Sequence, residues 1–223
     1  MSIFADETET IYERIKTEKG SVMCGRVYMA PANPELRELV KEMNQSKAAD
    51  YLLSVKNGTI RTEGEIRPSD IVPALALNRK GEKRVFPMKW GFSVHNSLII
   101  NARSETAAQK PAFSESWDRH RCIIPASWYF EWDHNENKKN GQKYALKTEQ
   151  SDIIWLAGLY RMEEGFPVFV ILTRSAAENL TWMHERMPVL FSRETAGEWI
   201  RPEIRPEKII GKSMTEVRWE KAI

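Results

Sequence analysis

The stretch with the most chemical potential is Met23-Cys24-Gly25-Arg26. A cysteine that directly follows a methionine becomes a two-headed reagent if the chain starts at that methionine and loses it. Cys24 would then carry a free α-amine beside its thiol. The amine condenses with an aldehyde to a Schiff base, and the thiol closes a five-membered thiazolidine. In model peptides the amine titrates near ~8 and the thiol near ~8.5, so modest help from neighbours activates either. Inside a peptide bond the same nitrogen is an amide and does neither. The plain alternative is a small buried cysteine near a strand start. The other cysteine, Cys122, lies in the apolar run Arg121-Cys122-Ile123-Ile124-Pro125 and reads as inert core.

Proton carriers are few. Of four histidines, His95, His120 and His134 sit among polar neighbours and read as surface residues. His184 lies in Trp182-Met183-His184-Glu185-Arg186-Met187-Pro188-Val189, a junction between a helix and an apolar strand, where a fold can present a side chain to a cleft. The competing reading is a half-buried histidine satisfied by backbone. Glu131 is flanked by four aromatics in Trp128-Tyr129-Phe130-Glu131-Trp132. Pointing inward it is a proton carrier with a desolvated carboxyl; pointing outward it is an ordinary strand charge. Asn101 to Thr106 follows the apolar Leu98-Ile99-Ile100 and reads as a polar strand end, with Arg103 and Glu105 candidates for a mutual ion pair. Arg26, Arg103 and Arg186 would form a phosphate site if they converge. Trp90, before Gly91, is core by default and a stacking or wedge element if exposed.

These residues need a scaffold, and the patterning describes one. Asn33-Pro34 caps a helix carried to Asn44 by Leu36, Leu39, Val40 and Met43, and a second helix spans Ala48 to Val55, stopped by Asn57-Gly58. Short apolar runs then predict strands at 71–77, 84–92, 98–100, 121–132, 143–147, 153–160, 167–173 and 214–219, with a turn at Asn78 to Gly81 and a polar loop from Asp133 to Gln142. Residues 176–183 and 192–200 read as helices, the second capped by Ser192. The fold class is α+β: a single domain on a mostly antiparallel, barrel-like β-sheet with a few flanking helices.

The chain has 223 residues and a net charge of +2. Residues 1–22 hold five acids and three bases, which leaves +4 on the remainder. That balance permits a local nucleic-acid patch without requiring one. No apolar run reaches the ~18 residues of a membrane span, and no apolar leader opens the chain. Two distant cysteines suit a reducing cytosol and give no paired-cysteine metal motif. Lys19-Gly20 is encodable by a purine-rich ribosome-binding sequence just upstream of Met23, so residues 1–22 are expected to be a mis-assigned start or a removable extension, and 23–223 the domain.

Taken in order, the motifs resemble the SRAP family, the SOS response-associated peptidases understood as abasic-site processing proteins. The matching pieces are Met23 to Arg26, Pro87 to Phe92, Ile100 to Thr106, Arg121 to Ala126, Phe130 to Trp132, Ala157 to Tyr160, Ile171 to Thr173 and His184 to Val189. The resemblance implies that Cys24 is the nucleophile whose amine and thiol capture the ring-opened aldehyde of an abasic site in single-stranded DNA. It makes Asn101 the residue positioning Cys24, Glu131 the acid/base carboxylate and His184 the aid to sugar ring opening. Arg26, Arg103 and Arg186 become phosphate contacts, Thr173 a site-lining hydroxyl, and Pro68 and Trp90 wedges against bases. It implies no cofactor, no metal and no membrane, a monomer, and a bacterial cytosol or nucleoid. This chain departs from the family in its leading 22 residues and in Arg67-Pro68-Ser69, where Asn-x-Ala-Pro is commoner. Two other functions fit the same residues: a cysteine peptidase with Cys24 as nucleophile, His184 as base and Glu131 as orienter, and a non-catalytic single-strand-binding module.

Overall fold

A computed structural model describes residues 25–30, 32–55, 59–133, 141–149 and 151–222. Cys24, the expected extension, the Asn57-Gly58 stop, His134 and most of the expected polar loop lie outside them. The chain opens with β1 (Arg26–Met29), α1 (Pro34–Asn44) and α2 (Lys47–Val55). β2 (Gly64–Ile66), β3 (Ile71–Leu77), β4 (Lys83–Trp90), β5 (Phe92–Val94), β6 (Ser97–Ile99) and β7 (Asn101–Arg103) follow, then α3 (Ser114–Arg119). Next come β8 (Arg121–Ala126), β9 (Trp128–Asp133), β10 (Gln142–Thr148), β11 (Ile154–Glu163) and β12 (Phe166–Ser175). The last part contains β13 (Arg186–Pro188), β14 (Leu190–Phe191), α4 (Arg193–Trp199), α5 (Pro206–Ile210) and β15 (Val217–Lys221).

Five strands close on themselves in the order β4-β3-β8-β11-β12, with β12 returning to β4. Every pairing in this ring is antiparallel except β12–β4. Closure explains why β8 is buried at every position: one face lines the barrel and the other lies under helices. On that outer side the Trp199 ring of α4 packs edge-on to Trp117 of α3 at 5.8 Å. The interior is tight enough to demand a glycine. A Cβ on Gly158 would sit 2.7 Å from Ile124 Cδ1, 2.9 Å from Cys122 Sγ and 3.0 Å from the Val170 carbonyl. Cys122 is buried beside it, and burial pushes its thiol far up, which makes it inert.

A second sheet, β15-β10-β9-β1-β2, is antiparallel throughout. The chain passes from barrel to second sheet at Ser127. Its amide donates to the Tyr28 carbonyl at 2.7 Å, and its hydroxyl accepts from the Ala30 amide at 2.9 Å. The run expected as one strand from Arg121 to Trp132 is therefore two strands in different sheets. The expected strand 84–92 likewise breaks at Gly91, whose φ of +120° turns the chain into the β5–β6 hairpin. The helix expected over 176–183 is only a 3-10 turn at Glu178–Leu180. The Ala176 amide donates to the Glu185 carbonyl, which carries the β12–β13 pairing one step past Ser175 and leaves only the short turn between them. Both N-cap expectations hold: Asn33 accepts from the Glu35 and Leu36 amides, and Ser192 from the Thr195 amide.

Gly158→Ala is expected to lower the unfolding free energy by about 1–3 kcal/mol, the usual cost of overfilling a packed interior. Urea unfolding of the two proteins measures it.

Candidate functional site

β12 ends in a strand crossing where several of the expected residues meet. On one edge it pairs in parallel with β7, putting Arg103 opposite Thr173 and Asn101 opposite Ile171. On the other it pairs with β13, putting Pro188 opposite Thr173 and Arg186 opposite Ser175. Thr173 is 2 % exposed, and its hydroxyl lies 3.4 Å from the Ala102 carbonyl. Arg186 reaches back over it, donating from Nη2 to the Thr173 carbonyl at 2.9 Å and to its hydroxyl at 3.3 Å. The same guanidinium grips Glu105 with both terminal nitrogens, at 2.7 and 2.8 Å. This fork holds the Glu105 carboxyl down at about 2 from its ordinary 4.5. Glu105 thus pairs with Arg186 and not with Arg103, which is exposed beside it.

His184 sits two residues before Arg186, half-buried, and its Nδ1 accepts the Arg186 amide at 3.0 Å. A nitrogen that accepts carries no proton. Nδ1 is thus taken up by the backbone, which leaves Nε2 as the nitrogen able to face a ligand.

Glu131 comes from the second sheet. It is 4 % exposed, so the inward reading is the correct one. Val27 pairs with Tyr129 and Arg26 with Phe130; one further step along this register puts Gly25 across from Glu131. Gly25 is buried, and Cys24 precedes it. On β10 the partner of Glu131 is Tyr144, so the two side chains share a face. The Tyr144 ring meets Trp182 edge-on at 5.3 Å, and Trp182 is two residues from His184. That aromatic contact ties the second sheet, beside Glu131, to the turn that carries His184.

The three arginines do not form one cluster. Arg103 and Arg186 flank Thr173. Arg26 faces the other side of the second sheet from Glu131, because alternate residues point oppositely and Arg26 is in register with Phe130. There its Nε donates to Glu65 at 3.1 Å, and Lys143 Nζ meets the same carboxylate at 2.5 Å while lying 3.8 Å over the Phe130 ring. Burial works against the Glu65 charge, but Lys143, Arg26 and Arg67 together pull its carboxyl below the ordinary value.

Trp90 corrects an expectation. It is 0 % exposed, lies 6.0 Å from Phe169 in a near-parallel stack, and donates from Nε1 to the Ile100 carbonyl at 3.0 Å. No base reaches a ring so buried. Its work is internal: it holds the point where the chain, after the β5–β6 hairpin, rejoins β12 and enters Asn101. Pro68 is the half-exposed one of the pair. It occupies a turn whose third residue, Ser69, has a φ of +74°, and whose Ser69 amide and Asp70 carbonyl bond the Trp90 backbone at 2.8 and 2.9 Å. Trp90 thus backs the turn that presents Pro68. The residues that sequence reasoning missed are Glu105 as the partner of Arg186, and Tyr144 and Trp182 as the bridge between sheets. The only signal for the second was an unexplained tryptophan close to His184. Among the described residues no group of three His, Cys, Asp or Glu side chains is arranged to hold a metal ion, and no helix is long and apolar enough to cross a membrane.

Comparison with known proteins gives concordant results. A family model described as SOS response associated peptidase (SRAP) matches residues 23–221. The chain is 31% identical over 158 residues to Abasic site processing protein YoqW of Bacillus subtilis, an alignment covering 63% of this chain and 70% of that protein. It is 33% identical over 138 residues to Abasic site processing protein YedK of Escherichia coli, covering 59% of each. A crystal structure of a protein from Bacteroides thetaiotaomicron superposes with a TM-score of 0.69 at 21% identity, over 89% of this chain and 91% of that one, and shares its fold.

Two expectations come from this geometry. Because the Glu105 carboxyl is depressed in the folded state, its contribution to stability is complete above the ordinary 4.5 and is lost as pH falls toward about 2. The stability difference between wild type and Glu105→Gln should be flat at neutral pH and shrink through that window in acid unfolding curves. Trp90→Phe leaves the Ile100 carbonyl without its indole donor. It should cost about 1–3 kcal/mol and speed hydrogen exchange of the Ile171 amide, which donates to that carbonyl.

Proposed function

This chain belongs to the SOS response associated peptidase (SRAP) family, and on that premise we propose that it processes abasic sites in single-stranded DNA by forming a covalent thiazolidine through Cys24. The acting form begins at Cys24, with residues 1–22 and Met23 absent. The observation that carries the reading is the β1–β9 register, in which the residue next to Cys24 runs beside the buried Glu131.

The chemistry balances without a cofactor. An abasic deoxyribose exists mostly as a closed hemiacetal. His184 donates from Nε2 to the ring oxygen and recovers the hemiacetal hydroxyl proton through water, so the imidazole ends unchanged and the aldehyde appears. The Cys24 amine adds to the carbonyl carbon to give a carbinolamine. Glu131, as the acid, supplies the proton on which the hydroxyl leaves as water and takes back the nitrogen proton as the iminium becomes the imine. The Cys24 thiol then adds across the C=N bond: sulfur bonds carbon, and the proton goes to nitrogen by way of the Glu131 carboxyl. Asn101 orients Cys24, Thr173 lines the sugar cleft, Arg103 and Arg186 hold flanking phosphates, and Pro68 wedges against a base; Arg26, on the opposite face of the second sheet from Glu131, takes no part at the sugar. A buried carboxyl group and an imidazole are the materials such proton transfers need. The product shields the lesion, and the protein works as a monomer.

Protein beginning at Cys24, mixed with an oligonucleotide carrying an abasic site, is expected to give an adduct that survives denaturing electrophoresis. Cys24→Ala should give none, and Glu131→Gln should slow adduct formation by about 10²-fold or more while leaving the fold intact by circular dichroism. A processed wild-type protein that leaves the DNA unshifted would overturn the proposal. The family's description as a peptidase favours one second reading, thiol proteolysis by Cys24 with His184 and Glu131. Acetylating the α-amine separates the two: it abolishes the thiazolidine and spares a peptidase.

A further inference from the structure

Only five large apolar side chains are exposed among the described residues, and two of them, Trp182 and Trp219, touch each other. Scattered exposed apolar groups are ordinary, but a paired tryptophan surface is not. Trp182 is 37 % and Trp219 45 % exposed, their rings 5.2 Å apart and inclined at 66°. Both also meet Tyr144 edge-on, at 5.3 and 5.4 Å.

The pair is held rigidly. The Trp182 indole donates to the Asn179 carbonyl at 2.9 Å, and the Asn179 side chain donates to the Val217 carbonyl at 3.2 Å, two residues before Trp219. One asparagine thus ties the turn bearing Trp182 to the strand bearing Trp219. Rings fixed in this way lose little entropy when something stacks on them.

The location is the informative part. Tyr144 lies opposite Glu131 on one neighbour and opposite Lys221 on the other, so Glu131, Tyr144 and Lys221 share a face. Trp219 lies on that face too, two residues from Lys221, and Lys221 is exposed. Trp182 leads by two residues to His184 and by four to Arg186. The aromatic surface therefore adjoins the candidate site and has a cation at its rim. An abasic nucleotide has no base of its own, so the base beside it loses a stacking partner. An aromatic surface next to the sugar cleft, with a cation for the adjoining phosphate, matches that need.

We propose that Trp182 and Trp219 form a stacking platform for the nucleobase next to the lesion in single-stranded DNA, with Lys221 meeting the adjoining phosphate. This inference rests on the function proposed above and adds a base subsite to it. No covalent step is involved, so it is tested without one. The probes are an oligothymidylate of about 15 nucleotides and the same strand with one tetrahydrofuran abasic analogue, which has no aldehyde. Binding is followed by fluorescence anisotropy at fixed salt.

Trp182→Ala and Trp219→Ala should each weaken binding by about tenfold, in line with the loss of one stacked base. Trp182→Phe should recover most of the affinity, while Trp182→Leu, apolar but unable to stack, should not. Lys221→Ala should reduce the salt dependence of binding as well as the affinity. Melting temperatures accompany each variant; if Trp182→Ala does not fold, the more exposed Trp219→Ala carries the test. Unchanged affinity in the folded alanine variants, or leucine binding as tightly as phenylalanine, would overturn the platform, including the case in which the patch serves a protein partner. Wild type that crosslinks abasic DNA while the tryptophan variants bind normally would remove this inference alone. Wild type that neither binds nor crosslinks would remove the proposed function with it.

Discussion

The register of β12 is the constraint on which the site depends. This ten-residue strand is paired along both edges: β11 and then β13 on one, β4 and then β7 on the other. A strand so held cannot slide, because a slip of one residue would turn every side chain to the opposite face. Its two parallel partners come from one continuous stretch of chain, interrupted only by the β5–β6 hairpin. Gly91 donates to the Phe169 carbonyl at 2.7 Å before that excursion, and Ser104 to the Thr173 carbonyl at 2.9 Å after it. The excursion leaves and rejoins one rail, so Asn101 and Arg103 arrive at fixed positions opposite β13. Gly158 serves the same end from inside: without a side chain there, β11 and β8 approach closely enough for the barrel to close against β12.

Electrostatics around this frame is arranged in ion pairs. Arg186 is largely buried, and its planar fork is already oriented by the Thr173 carbonyl and Glu105. A lysine would not hold this posture, because it offers a point charge rather than a fork. On the other face of the second sheet, Glu65 plays the comparable part for Arg26, Lys143 and Arg67, so three cations stay close without mutual repulsion.

Much of this was legible in the sequence, and the misses have physical reasons. Asn33 and Ser192 announced their helices because a cap is a local interaction. The strands at 71–77 and 167–173 were visible as apolar runs, the second extending to Phe166–Ser175 in the structure, and the barrel-like α+β class followed from the number of such runs. Ser127 was invisible as a boundary because its role is set by Tyr28 and Ala30, far away in the chain. The inward direction of Glu131 was undecidable from its aromatic neighbours, which surround it equally in sequence; register against Tyr144 and Gly25 decides it. Trp90 followed its residue type into the core. Arg121 ran against type: it is 2 % exposed, with Nε on the Trp199 carbonyl at 2.6 Å and further bonds to the Trp117, Asp118, Arg201 and Ile204 carbonyls. A buried arginine satisfied by backbone carbonyls alone has no local signature, because its partners are loop oxygens whose positions only the fold determines. Burial accordingly presses its guanidinium toward the neutral form, against weak support from Asp118, Glu207 and Glu203.

The division of the site between two sheets follows from the chemistry assigned to it. Thiazolidine formation takes both nucleophiles from a single residue, so the protein has no second attacking group to position. What remains is proton traffic at two separated atoms, the sugar ring oxygen and the departing hydroxyl, and these call for carriers approaching from different directions. The second sheet brings Glu131 alongside the strand that follows Cys24; the end of β12, through β13, brings His184. The turn that carries Trp182 and His184 is tied to the second sheet by the Trp182 contacts with Tyr144 and Trp219 and by the Asn179 bond to β15. The same few residues therefore tie that turn to the second sheet and form the exposed surface beside it. Under the proposed function, a base stacked there would press on this tie, and occupancy of the flanking nucleotide would be coupled to the placement of His184.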